Sequence, residues 1–177
     1  MGILLAFAPF IAFAVLDRVI GVAEALAAAA LISAFLVMRE ALAGRQMKLL
    51  EVGTLILFAA LSLVTWLGGV SWSVIAVRLF VDAGLLVIVL ASILVGRPFT
   101  MQYARDEVAP EYWNQPEFLR INYVVSGAWA LAFGVMVCAE LALLYIPQMP
   151  QRIGIIVIIF SLVGAVKFTG WYTQKQT

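Results

Sequence analysis

A chain of 177 residues with 65% hydrophobic and only 12% charged side chains, at a mean hydropathy of +1.09, lacks the polar surface that a soluble domain needs. Its net charge of +1 offers no field for nucleic acid. With no histidine and a single cysteine, Cys138, it has no intramolecular disulfide and none of the common zinc, haem or non-haem iron ligand sets, so no metal and no cofactor is expected.

A transmembrane helix takes about 20 mainly apolar residues. Runs of that kind cover residues 2–16, 19–38, 49–69, 71–95, 121–146 and 153–172. They predict an all-α integral membrane protein, a single bundle of six transmembrane helices in the lipid bilayer. The first run is short. Fifteen residues reach about 22 Å, and Pro9 in the middle would remove a backbone hydrogen bond and kink the helix. It reads as a short tilted span, a re-entrant segment or an interfacial helix. A cleaved signal is disfavoured, because a basic n-region and an A-x-A site are missing. The second run carries Ala23, Ala25, Ala27, Ala28, Ala29, Ala30 and Ser33, a surface that allows close helix approach within the bundle or between copies in a homo-oligomer. Gly68-Gly69 divides the third run from the fourth, and Pro147 and Pro150 divide the fifth from the sixth.

Orientation follows from the basic residues. Arg39, Arg45 and Lys48 fall in one loop, Arg97, Arg105 and Arg120 flank another, and Lys175 lies in the tail, whereas the opposite loops hold only Arg18 and Arg152. The positive-inside rule places the two longer loops and the C-terminus in the cytoplasm. Trp66 and Trp72 suit one membrane interface, and Trp113, Tyr123, Trp171 and Tyr172 suit the other.

Ionisable groups within spans cost on the order of 2.5–3.5 kcal/mol each on insertion scales and count as functional candidates. Here they are Glu24, Arg78, Asp82, Glu140 and Lys167, with Glu51 expected in wet headgroups at a span boundary. Arg78 and Asp82 stand one turn apart on the same helix face. Glu24, Arg78 and Glu140 lie about 7–10 Å in from the outer ends of their spans at helical rise, a depth match that allows one cluster. Asn122 and Glu140 are five whole turns apart on the fifth span, so both share a face with Ser126 and Phe133 that is expected to look inward. The cluster is read first as a buried charge network that fixes helix register, and second as an ion or proton path, or a polar pocket, centred on Arg78. Lys167 invites comparison with a Schiff-base lysine, but six spans are too few for a retinal protein, and snorkelling to the interface is the plainer reading.

The segment 96–120 reads GRPFTMQYARDEVAPEYWNQPEFLR. Pro98 can open a short helix through Val108, Ala109-Pro110 ends it, and Gln115-Pro116 starts another turn. Phe99, Tyr103, Tyr112, Trp113 and Phe118 give it an apolar side for the membrane interface, while Asp106, Glu107, Glu111 and Glu117 face water. Residues 97–119 are thus an interfacial connector, or a docking surface for a cytoplasmic partner through Arg97, Tyr103, Tyr112, Trp113 and Phe118.

The order of features resembles the bacterial intracellular septation protein A family over nearly the whole chain. An apolar segment with a central proline (FAPFIAFAVLDRVIGV) runs into an Ala-rich helix. A span leads into GRPF and a loop ending near EYW, a helix opens with LRINYVVSGAWALAFG, and the last hairpin turns at IPQMPQR. The acidic loop is closer to a divergent branch than to enterobacterial members. The resemblance implies a small, non-enzymatic, multi-pass protein of the bacterial inner membrane, linked to cell division and envelope synthesis and acting through membrane or cytoplasmic protein partners. It transfers no catalytic residue. The alternative is a small oligomeric transporter or channel using Glu24, Arg78, Asp82 and Glu140. A lipid-acting enzyme comes third, for want of Asp-x-x-Asp or Ser/His arrays.

Overall fold

A segment that crosses lipid must satisfy every backbone N–H and C=O internally, and an α-helix does so within itself. The computed structural model, which describes residues 5–146 and 148–175, is helical and contains no strand among those residues. We number the helices α1 Ala8–Leu16, α2 Val22–Leu42, α3 Leu49–Gly68, α4 Val74–Leu94, α5 Thr100–Ala104, α6 Pro116–Tyr145 and α7 Gln151–Lys175, with a 3₁₀ turn at Pro110–Tyr112. Five of them, α2, α3, α4, α6 and α7, are long and apolar enough to cross a membrane. The chain is therefore a helical protein of the multi-pass membrane type. Two compact units divide it, Met1–Gly84 and Leu85–Thr177.

In the first unit, α1 packs on α2 and α2 on α3. Within the apolar run at 2–16, α1 is only nine residues long, about 13 Å of rise, so it is not among the five long helices; residues 2–4 lie outside the described residues. Pro9 does not kink the middle of α1 as expected. It stands in the first turn, where an amide would lack an intrahelical acceptor anyway, so its ring starts the helix. Phe10 and Phe13 of α1 close on Phe58 of α3, with ring centroids 5.3 and 6.0 Å apart. The small residues of α2 serve packing inside this unit: Ala25, Ala29 and Ser33, each one turn from the next, are buried. Close approach recurs in the middle of α4. A Cβ on Gly84 would lie 2.6 Å from Leu57 Cδ2 of α3.

Glycine and serine set the helix ends. At the end of α2, Gly44 at φ +67° lets the Gly44 amide donate to Ala41 O at 3.1 Å and the Arg45 amide to Glu40 O at 3.0 Å, the paired bonds of a Schellman turn. Gly96 at φ +77° closes α4 in the same way, with Gly96 donating to Ile93 O and Arg97 to Ser92 O. Gly69 at φ +63° ends α3 at the expected Gly-Gly turn. Ser73 starts α4 by accepting from the Ala76 amide at 3.1 Å.

In the second unit, α5 packs on α6 and α6 on α7. Pro116 sits in the first turn of α6, which thereby starts five residues before the apolar run and reaches 30 residues, about 45 Å. Gly154 of α7 fits against Leu143 of α6, and Trp129 Nε1 donates to Thr169 Oγ1 at 3.1 Å. Only Gly154 and Ala165 of α7 are buried.

Candidate functional site

The intramembrane residues singled out from the sequence fall in different units. Glu24, Arg78 and Asp82 belong to the first, Asn122 and Glu140 to the second. Glu24 is exposed and occupies the third position of α2; its Oε2 lies 3.0 Å from where a Cβ on Gly21 would stand, so the carboxylate folds back over its own helix N-terminus. An acidic side chain in the first turn is favoured there by the helix dipole. Arg78 is half-buried, and Asp82 one turn later is 7% exposed. In the second unit the inward face of α6 is well defined: Asn122, Ser126, Phe133 and Glu140 are all at or below 3% exposure. Asn122 Nδ2 donates to Phe118 O at 2.8 Å. Lys167 is exposed on α7, as snorkelling requires.

A further set of buried charges surrounds the loop between α2 and α3, and it departs from the sequence reading. Glu51 is 5% exposed rather than in wet headgroups, and Lys48 and Glu40 are equally sunk at 5% and 2%. Arg39 Nη2 meets Glu40 Oε1 at 2.6 Å, and Arg45 Nη1 stands 3.9 Å from Oε2. Periodicity carried a signal for both carboxylates. Glu40 continues the buried stripe Ala25, Ala29, Ser33, Leu36 of α2, and Glu51 opens the stripe Thr54, Phe58, Leu61 of α3. Ala6, Pro9, Ser33, Leu36, Glu51 and Thr54 line a slight dent with no room for a water molecule. The Thr54 hydroxyl is buried there without a hydrogen-bond partner, and Ser33 Oγ donates to Ala29 O at 2.8 Å. Among the described residues no three His, Cys, Asp or Glu side chains gather around a common point that would hold a metal.

The segment after α4 is folded and tied down. The Phe99 amide donates to Ser92 Oγ at 3.1 Å, and the Thr100 hydroxyl donates to Asn122 O at 3.0 Å. With its one proton so used, Thr100 accepts from Ser126 Oγ at 2.8 Å. Trp113 Nε1 donates to Val108 O at 2.9 Å while the Arg105 guanidinium lies 5.1 Å from the Trp113 ring centroid. These contacts redistribute the expected docking residues. Tyr103 and Phe118, at 7% and 8% exposure, are core residues of the unit and cannot meet a partner, because α5 lies against α6 rather than flat in the interface. Arg97 and Tyr112 remain exposed and Trp113 half-exposed. Asp106, Glu107, Glu111 and Glu117 are exposed beside them. The short helix is also briefer than expected, ending at Ala104.

No protein-family model, no curated protein and no solved structure matches the chain.

Proposed function

We propose that this chain is a non-enzymatic protein of the bacterial inner membrane, acting in envelope assembly or division through protein partners, as the resemblance to the septation protein A family implies. The observation that carries this reading is the anchoring of the segment after α4 at Phe99 and Thr100, with Trp113 tied back to Val108 within it. A mere connector has no need of three separate ties to Ser92, Asn122 and Ser126, with Phe99, Thr100 and Met101 buried. Such ties hold in place a surface on which Tyr112 is 47% exposed among carboxylates. The basic loops and the C-terminus face the cytoplasm in this reading, with α1 as a short re-entrant helix. The test is site-specific photocrosslinking in native membranes from position 112, with position 131 on the lipid-facing side of α6 as control. A protein adduct formed only from position 112, lost on Glu111→Lys and identified as a component of envelope synthesis or division, supports the reading. Adducts to lipid alone from both positions sink it.

A transporter is the second reading, favoured by the burial of Asp82 and Glu140 inside spans, where an ionisable group is costly to keep without a use. It requires ion- or proton-coupled flux in proteoliposomes that Asp82→Asn or Glu140→Gln abolishes. Absence of flux from the wild-type protein across a panel of ions removes it.

A further inference from the structure

The end of α2 carries an arrangement that none of the above uses. The Schellman turn at Gly44 folds the chain back, so that Arg45 lands over Glu40, the residue whose carbonyl its own amide bonds at 3.0 Å. Arg39 comes from the other side of the same carboxylate. One sunk anion, 2% exposed, therefore binds the Arg39 guanidinium at 2.6 Å and has that of Arg45 at 3.9 Å, their side chains 43% and 64% exposed. Each guanidinium has five N–H donors, and one carboxylate with two oxygens cannot use them all. Counting the buried Lys48 and Glu51 at the far end of the same loop, three cations stand against two anions, a net of +1. Both arginine side chains keep a large part of their surface exposed.

The surroundings say what would come to them. Met38, Leu42 and Met47 flank the pair at 59%, 83% and 57% exposure. A loop bathed in water does not gather such side chains beside two arginines, whereas the boundary between headgroups and acyl chains suits both. The complementary ligand has an anionic group that accepts several N–H bonds and an apolar body beside it. We propose that Arg39 and Arg45 form a headgroup site for an anionic phospholipid, with Glu40 as the positioning residue that sets the two guanidinium planes. A zwitterionic headgroup is a poorer ligand, because its ammonium would share the field of the arginines.

The test uses the full-length protein, delipidated in detergent and titrated with phosphatidylglycerol or phosphatidylcholine, with retained lipid read by native mass spectrometry. Phosphatidylglycerol is retained in preference. Arg39→Gln and Arg45→Gln each weaken that retention about fivefold and together about 25-fold, from the usual contribution of one basic residue near an anionic surface, and phosphatidylcholine retention stays unchanged. Arg45→Gln, at the more exposed side chain, keeps the test open should the double variant misfold. Three outcomes overturn the proposal: the arginine variants hold phosphatidylglycerol as wild type does; Arg152→Gln, an exposed arginine at the start of α7, costs as much; or excess glycerol 3-phosphate displaces the lipid, which would make the site one for a soluble phosphoester. Glu40→Gln tests positioning separately. A simple sum of charges predicts tighter phosphatidylglycerol binding, and positioning predicts a lost preference with both arginines still present.

Discussion

Two ties at the start of the segment after α4 differ in what replaces them when they are cut. Ser92 Oγ donates to Val89 O at 2.7 Å and accepts from the Phe99 amide at 3.1 Å, with Ser92 at 4% exposure and Phe99 at 0%. Ser92→Ala leaves that amide buried with no acceptor, a loss of about 1–3 kcal/mol. Thr100→Val also deletes a buried hydroxyl, yet the carbonyl it vacates, Asn122 O, lies one turn before Ser126. The Ser126 hydroxyl can turn onto that carbonyl, as Ser33 and Ser161 do onto the residue four before them. The net loss is then about 0.6–1 kcal/mol, in line with hydrogen bonds between helices in lipid. Amide hydrogen exchange over residues 99–103 in nanodiscs reads both. At tenfold per 1.4 kcal/mol, Ser92→Ala speeds exchange about five- to a hundredfold and Thr100→Val about three- to fivefold. Equal acceleration by the two variants, or a greater effect from Thr100→Val, would refute the rescue by Ser126 and with it the assignment of donors.

Other expectations follow from single contacts. Gly84→Ala overpacks the α3–α4 contact at Leu57 and lowers stability by about 1–3 kcal/mol; in thermal melts Leu57→Ala recovers part of the loss, and no recovery would mean the strain lies elsewhere. Gly44→Ala meets open space but forces a side chain to φ +67°, at about 1–2 kcal/mol, so a melting temperature equal to wild type would contradict the Schellman turn. Glu24→Gln weakens only the α2 terminus, by about 0.3–1 kcal/mol at an exposed position, whereas Asp82→Asn changes a buried one. A larger loss of stability from Glu24→Gln than from Asp82→Asn in denaturant titrations would return Glu24 to the intramembrane cluster. Tyr112→Ala leaves the melting temperature within experimental scatter, since its side chain is nearly half exposed, while Phe118→Ala lowers it by about 3–5 kcal/mol equivalent as a buried aromatic.

What could be read along the chain was what depends on neighbours in sequence. The long spans stand where the hydropathy runs stand, because a backbone in lipid has no alternative to the helix, and the Gly-Gly turn and the inward face of Asn122, Ser126, Phe133 and Glu140 follow from local geometry. Pro9 starts α1 instead of kinking it, and α6 starts at Pro116, where a turn was expected, five residues before its apolar run, for one reason: apolarity marks how long a helix stays in hydrocarbon, not where its hydrogen-bond ladder begins. The loop after α4 looked like an interfacial strip by its aromatic side, but three hydrogen bonds to α4 and α6 turn that side into the unit, taking Tyr103 and Phe118 with it.

Composition by itself thus called for apolar helices long enough to cross a membrane, since that rests on residue counts and bilayer thickness alone, and five such helices stand among the described residues. Tertiary structure decided which charges are sunk. Glu40 and Lys48 sit in a polar-looking stretch and Glu51 at the boundary of a span, and all three are buried, while Glu24 sits in an apolar run and is exposed. Hydropathy averages over a window and assigns a residue to water or lipid by its depth. Burial of a charge is settled by which helix face it is on and by what packs over it, and those are properties of the folded pair of helices.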